Sequence, residues 1–226
     1  MDVRQEIMRN IIKNTFWLLL SISAVCGNPV FVESTIDKTW ERCLISVSED
    51  IATVSCAVGY GVRENPPSKL EVLIPVVWLR GGNEDTKRFS RSCDPRLEIG
   101  DTIFRPDSVN FSKDPSLPAD LSIATCHFTV RLLIPKSFSM VVSYSQPVYK
   151  GHVYYLPLFE HGRSPEMSDK FTISLFPTKG ARLELLSEHA SKATTMSTRI
   201  TIHPRHNEMI AVKTKPGEHV VGGNGG

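Results

Sequence analysis

The cysteines of this 226-residue chain have the clearest chemistry. Cys43, Cys56, Cys93 and Cys126 form an even set, which in an oxidising compartment predicts two disulfides in one of three connectivities. A structural zinc site needs closely spaced ligand pairs, whereas twelve residues separate the two nearest members of this set. We therefore expect two disulfides and no metal site.

Histidines and carboxylates give weaker signals for catalysis. His203 and His206 lie three residues apart, but Pro204 disfavours a helix that would align them, and no nearby Cys or Asp completes a ligand set. Glu160 and His161 are adjacent but lie within a turn signal. The chain has neither a Gly-x-Ser-x-Gly elbow nor a phosphate-binding glycine loop. We expect no catalytic residue and no cofactor, with a hydrolase built from distant residues as the alternative.

Two groups of side chains have the composition of a binding surface. Tyrosines are concentrated after the last cysteine, and tyrosine is enriched at recognition surfaces. The C-terminal region is locally basic, which suits an acidic partner or a glycosaminoglycan. Core packing of the tyrosines and an ordinary solvated edge are the alternatives. The binding candidates are Tyr144, Tyr149, Tyr154, Tyr155, Arg199 and Arg205.

Strands are the elements that must position these residues. Apolar residues alternate with period two from Thr39 onward, and Gly-, Pro- and Asn-rich turn signals separate the alternating segments. Pro75 interrupts one apolar run and predicts an edge or a bulge there. The main helix prediction is a short one over residues 185–193. We expect an all-β protein, an antiparallel β-sandwich stapled by disulfides. The predicted strands lie at 51–58, 70–79, 127–132, 138–144, 153–159, 171–176, 182–186 and 197–202, and the alternation is cleanest in the last of these.

The first 27 residues have the features of a secretory signal peptide. Arg4, Arg9 and Lys13 precede an apolar run of about eleven residues, shorter than the roughly twenty of a membrane span. Small residues follow, and cleavage after Cys26 or Gly27 would leave the even set of four cysteines. A short core helix and an uncleaved anchor are the alternatives. The leader predicts a secreted, extracellular protein without stable membrane insertion.

Glycosylation and charge are consistent with that location. Asn110 begins an Asn-Phe-Ser acceptor triplet in a polar stretch, which predicts a surface glycan. The formal charge is +2 and falls to about +1 without the leader, so no attraction to nucleic acid is implied.

Three short motifs resemble an immunoglobulin-like β-sandwich. The segment Ile-Ala-Thr-Val-Ser-Cys-Ala-Val at 51–58 resembles strand B, Val-Val-Trp-Leu-Arg at 76–80 resembles strand C, and 120–126 is similar to strand F. The resemblance implies a Cys56–Cys126 bridge between two sheets, Trp78 packed beside it, and Cys43–Cys93 as an extra bridge. The corner tyrosine of the family is replaced by alanine in this sequence.

The expected organisation is a signal peptide at 1–27, a disulfide-containing sandwich at 28–135, and a cysteine-free region at 136–215. That last region is either a second β unit or the continuation of the same sandwich, and a disordered Gly-rich tail occupies 216–226. The function expected is a secreted, non-enzymatic recognition protein that binds another protein or a cell-surface receptor. The alternatives are an accessory subunit of a membrane-associated assembly in the lumen or outside the cell, and a glycan-binding protein or glycan-directed hydrolase.

Overall fold

The computed structural model of the chain is mostly β-strand, which confirms the all-β prediction. No helix among the residues described has the length and apolar character needed to cross a bilayer. The predicted signal peptide and the predicted tail lie outside the described residues. The structure describes residues 30–31, 36–63, 68–80, 86–155, 170–178, 181–186, 193–196, 199–203 and 210–215.

Fifteen strands and one helix make up the described parts of the chain. The first eight strands are β1 Val30–Phe31, β2 Ile36–Val47, β3 Ile51–Val62, β4 Leu70–Leu79, β5 Arg96–Ile99, β6 Thr102–Phe104, β7 Ser108–Ser112 and β8 Leu121–Val130. The others are β9 Ser137–Pro147, β10 His152–Tyr155, β11 Phe171–Pro177, β12 Arg182–Leu185, β13 Ala193–Met196, β14 Arg199–Ile202 and β15 Ile210–Lys215. The helix, α1, is Thr86–Cys93.

The largest sheet has eight strands in the order β13-β14-β11-β2-β3-β9-β5-β6. Its central pair, β2 and β3, is a long antiparallel hairpin whose turn is closed by Ser48. The Ser48 hydroxyl donates to the Ile51 carbonyl at 2.7 Å and accepts from the Ile51 amide at 3.2 Å. Cys43, Ile45 and Val47 are buried along β2 while the residues between them are exposed, as a strand with one wet face requires.

One pairing in this sheet is parallel rather than antiparallel. Strand β11 runs alongside β2 from the Phe171–Glu41 pair to the Pro177–Val47 pair. Because β11 comes from the predicted cysteine-free region and β2 from the predicted disulfide-containing region, one sheet includes both. In the described part of the chain, strands from both sides of residue 135 thus lie in one sheet, and the division of the chain into units stays a prediction.

Two smaller sheets complete the fold. Strands β1-β4-β8-β7 form one, and β10-β15-β12 form the other. One cluster of buried apolar residues takes side chains from all three sheets. Pro75 lies in β4 opposite Thr125 of β8. Among the described residues β1 pairs with Val72 and Leu73 of β4, and the edge or bulge at Pro75 stays a prediction.

The helix lies where the sequence did not predict one. Residue 185 ends strand β12 and residue 186 follows it without helix, while 187–192 are outside the described residues. The observed helix α1 follows the Gly-Gly-Asn turn signal at 81–83 instead. Phe89 and Cys93 of α1 are both fully buried, and their spacing of four residues places them on one helix face. Only two apolar residues mark this short amphipathic segment, so the period-3.6 signal was weak.

Candidate functional site

The most distinctive polar group of side chains is buried in the core beneath the central hairpin, and we call it the buried polar cluster. It comprises Lys38, Glu41, Cys43, Cys56 and Tyr155.

A β-bulge places the two charged members of the cluster on the same face. In a regular strand Lys38 and Glu41 would point to opposite faces, because side chains alternate. The register of β2 against β3 shifts between Lys38 and Trp40, so one extra residue is inserted and both charged side chains face inward. Lys38 Nζ donates to Glu41 Oε2 at 3.3 Å, with the side chains 4% and 2% exposed. The bulge therefore builds a buried ion pair.

The sulfurs of the cluster come from opposite positions of the hairpin. Cys43 of β2 pairs directly with Cys56 of β3, and a disulfide of 2.07 Å joins them. The bridge thus links neighbouring strands within one sheet. Glu41 Oε1 lies 3.0 Å from Cys43 Sγ, and since that sulfur is disulfide-bonded it has no proton to donate.

A second sheet covers the disulfide. The Tyr155 hydroxyl, from β10, lies 3.1 Å from Cys43 Sγ and 3.3 Å from Cys56 Sγ, and it is the group that can donate to them. Beside it, the buried Gln146 of β9 donates its amide to the Tyr154 carbonyl at 3.0 Å. These contacts tie the three-stranded sheet to the eight-stranded sheet across the cluster.

The ligand atoms of Glu41, Cys43 and Cys56 lie within 4.8 Å of one another, a spacing that suits a metal ion. Thiolates are the metal-binding form of cysteine, and the disulfide removes both. The ammonium of Lys38 also already supplies a positive charge to Glu41. While the disulfide is closed, the arrangement is a structural cross-link beside an ion pair rather than a metal centre.

The disulfide differs from the one that the immunoglobulin resemblance implies. Cys56 is bonded to Cys43 on the adjacent strand, so the Cys56–Cys126 and Cys43–Cys93 bridges are not formed. Cys93 and Cys126 are buried free thiols. The pairing follows from the hairpin, which brings positions 43 and 56 face to face. Trp78 is half-buried and packs edge-to-face on Phe89, with ring centroids 4.9 Å apart.

The predicted binding tyrosines, all of which the structure describes, are not brought together on one surface. Tyr144 and Tyr155 are 2% and 1% exposed, so they are core residues and were wrong as surface candidates. Tyr149 and Tyr154 are half-buried and pack against a small apolar cluster containing Leu121, and the Tyr149 hydroxyl donates to Asp120. Because side chains along a strand point alternately to its two faces, a tyrosine at every second position faces the core.

The basic and histidine candidates are partly outside the described residues. Arg199 is exposed, donates to Ser174 Oγ at 2.7 Å and lies over the Phe176 ring. His203 is half-buried, with Nδ1 3.2 Å from the Phe171 carbonyl oxygen. The candidates that lie outside the described residues are Arg205, His206, Glu160 and His161.

The glycosylation candidate lies on the outer strand of its sheet. Asn110 is exposed on β7, at the edge of the four-stranded sheet, and its side-chain nitrogen lies 3.2 Å from His127 Nε2. Glycosylation at Asn110 stays a prediction.

Sequence reasoning missed the cluster as a unit. The sequence did not identify Lys38 and Glu41 as site residues, because the burial of both side chains depends on a β-bulge that their spacing does not predict. Cys43 and Cys56 were identified, but their pairing needed the hairpin register. The short segment between two long alternating runs, Ser48-Glu49-Asp50, was the signal that could have indicated that hairpin.

Comparisons with known proteins give a fold and no family. No family model matches the chain, and no curated protein matches it. A candidate nutrient-binding protein from Legionella pneumophila subsp. pneumophila str. Philadelphia 1 is similar in structure, with a TM-score of 0.50 and 10% identity, over 84% of this chain and 70% of that one.

Two larger enzymes are more distantly similar. Leukotriene A4 hydrolase from Saccharomyces cerevisiae has a TM-score of 0.43 and 8% identity, over 84% of this chain and 31% of that one. The M1 zinc metallopeptidase from Deinococcus radiodurans has a TM-score of 0.32 and 12% identity, over 79% of this chain and 42% of that one. The chain thus spans less than half the length of each enzyme, and at these identities the similarity shows the fold alone.

These neighbours correct the functional expectation. The prediction of a secreted, non-enzymatic recognition protein is corrected, because the structures that resemble this chain do not favour it. The alternation of apolar residues that suggested a recognition sandwich is shared by many β architectures and carries no information about function.

Proposed function

We propose that this chain is a structural β module of the secretory pathway lumen, in which the Cys43–Cys56 disulfide locks the central hairpin. The observation that carries the proposal is the burial of the cluster. Cys43, Cys56 and Tyr155 are at most 1% exposed and Glu41 is 2% exposed. A substrate cannot reach groups so deeply covered, so the cluster acts on the stability of the fold rather than on a ligand.

The chemistry of the disulfide supports the proposed compartment. Disulfides persist in oxidising compartments, whereas glutathione and thioredoxin keep cytosolic thiols reduced. The exposed side chain of Asn110 on an edge strand is accessible to a glycosylating enzyme that acts in the same lumen. The leader predicted at 1–27 is consistent with this route.

Thiol trapping in intact cells tests the proposal. The full chain is expressed in eukaryotic cells, free thiols are alkylated before lysis, and the protein is mapped by mass spectrometry without reduction. We expect the peptide 43–63 to be two hydrogens lighter than its reduced form, which reports the closed disulfide directly, and an amidase specific for Asn-linked glycans to lower the mass of the wild type but not of N110Q. Recovery of 43–63 in its reduced or alkylated form would overturn the disulfide, and an unchanged wild-type mass would overturn the glycosylated, luminal location.

A further inference from the structure

Two cysteines have no assigned role in the fold described so far. Cys93 is the last residue of α1, and Cys126 lies in the middle of β8, between Ile74 on one side and Val109 on the other. Both thiols are 0% exposed and belong to the same buried apolar cluster. Cysteine packs well as a small apolar residue, so burial alone does not give this pair a role.

Helix α1 packs against the four-stranded sheet that contains Cys126. Phe89 packs edge-to-face on Phe111 of β7, with ring centroids 5.7 Å apart, and Phe111 pairs with Ala124 of β8. Cys93 follows Phe89 by one helical turn on the same face, a rise of about 6 Å. Cys126 follows Ala124 by two residues on the same face, a rise of about 7 Å. Phe89 also packs edge-to-face on Trp78 of β4, so α1 lies against β4 and β7, the two strands on either side of the strand that carries Cys126.

The electrostatics of the thiols agree with their proximity. Burial raises the pKa of Cys93, and the charge that Cys126 would carry raises it further, so the two sulfurs lie within electrostatic reach. The Ser145 amide, hydrogen-bonded to Cys93, acts in the opposite direction. Burial raises the pKa of Cys126 to about 12. Both groups are therefore neutral thiols at physiological pH when they are reduced.

We propose that Cys93 and Cys126 form a second disulfide, which fastens α1 to the four-stranded sheet. With Cys43 bonded to Cys56, this is the remaining connectivity of the even set of four cysteines. The new bridge would join the helix to the sheet. It would therefore stabilise a different part of the core from the one that the Cys43–Cys56 disulfide stabilises.

The chemistry requires an oxidant, and a small-molecule disulfide such as glutathione disulfide supplies it. One thiolate attacks the glutathione disulfide and releases glutathione thiolate, and the second attacks the resulting mixed disulfide and releases another. The protein loses two protons and two electrons, and glutathione disulfide becomes two glutathione thiols. Because the thiolate is the nucleophile and burial suppresses it, the bond closes while the chain folds and both sulfurs still meet solvent.

Non-reducing tryptic mapping of the full chain tests the bond. The chain is reduced, unfolded, refolded in a buffer of oxidised and reduced glutathione, alkylated in denaturant and digested. Cys43 and Cys56 fall on one tryptic peptide, 43–63, whereas Cys93 lies on 92–96 and Cys126 on 114–131. The two proposed bridges therefore give different products, one closed within a peptide and one joining two peptides.

We expect 92–96 to be recovered bonded to 114–131, and the C126A variant to give an alkylated 92–96 instead. Recovery of both peptides in alkylated form from the wild type would overturn the proposal. A bond from either peptide to 43–63 would also overturn it. Since alkylation is done in denaturant, the result does not depend on the variant being folded, and it is independent of the location test of the proposed function.

Discussion

Gly59 lies directly beneath the indole of Trp40, its cross-strand partner in the central hairpin. A Cβ atom at this position would lie 2.0 Å from Trp40 Nε1 and 2.4 Å from Trp40 Cε2, closer than non-bonded atoms approach. The indole therefore fills the space that a side chain would need, and it sits beside the bulge that turns Glu41 inward.

Substituting Gly59 by alanine is expected to lower the free energy of unfolding by about 1–3 kcal/mol, because the indole or the strand must move. Gly61 is the matched control on the same strand. A Cβ there would meet only Thr39 Cγ2 at 3.6 Å, so G61A should change the free energy by less than about 1 kcal/mol. Urea denaturation of both variants measures the difference, and equal effects would show that the indole does not occupy the space.

The second prediction at the residue scale concerns the charge on Glu41. The E41Q variant replaces the carboxylate facing Lys38 by a neutral amide within the core, and losing one partner of a buried ion pair costs about 3 kcal/mol. The control is E71Q, in which the ion pair with Lys69 is half exposed and solvent screening leaves almost no effect. Should E41Q unfold at the same urea concentration as the wild type, the ion pair would contribute nothing to stability.

At the scale of elements, Asp94 joins the end of α1 to two short strands. It follows the helix with φ of 48°, a conformation that Asp and Asn tolerate, and its amide donates to the Ser90 carbonyl at 3.1 Å. Its carboxylate accepts hydrogen bonds from Arg96 of β5 and from Arg105, which follows β6. Burial would raise the pKa of Asp94, but the two guanidinium groups outweigh it, and the pKa is lowered.

A lowered pKa gives stability that is present above the ordinary carboxyl value of 3.8 and is lost as the pH falls through the folded value. The D94N variant keeps a residue suited to the positive φ but lacks the charge. We expect D94N to be less stable than the wild type at neutral pH, and the difference to shrink at pH well below 3.8. Urea denaturation at both pH values checks this. A difference that stays constant would mean that Asp94 contributes no pH-dependent stability.

The elements also show how far a single sequence predicts a fold. Alternation located β3, β4, β9 and β14, because one buried face imposes a period of two, but the equally long β2 was not among the predicted strands. The parallel pairing of β2 with β11 was not predicted, since it joins segments distant in the chain and leaves no local pattern. Cys43 and Cys56 were candidates from their type alone. The positions of their partners Lys38, Glu41 and Tyr155 depend on a β-bulge and on the packing of one sheet on another, and residue spacing predicts neither.

For the molecule as a whole, the disulfide closes a short loop at the centre of the largest sheet. Constraining an unfolded loop of this size contributes about 3 kcal/mol, so the C43A/C56A variant should lose that much stability relative to the oxidised wild type. The wild type and the double variant are also denatured in the presence of reductant, where the proposed Cys93–Cys126 bond is open in both, and there they should unfold at nearly the same urea concentration. A double variant as stable as the oxidised wild type would show that the bridge does not lock the sheet.

We propose above all that the Cys43–Cys56 disulfide is a buried structural cross-link rather than a reactive site. The most direct test is its rate of reduction in the folded protein, followed by alkylation and by the mass of peptide 43–63. We expect this disulfide to resist a soluble thiol reductant while the chain is folded, and to be reduced rapidly once urea unfolds it. Reduction equally fast in the folded and the unfolded chain would show that the disulfide is not protected by the fold.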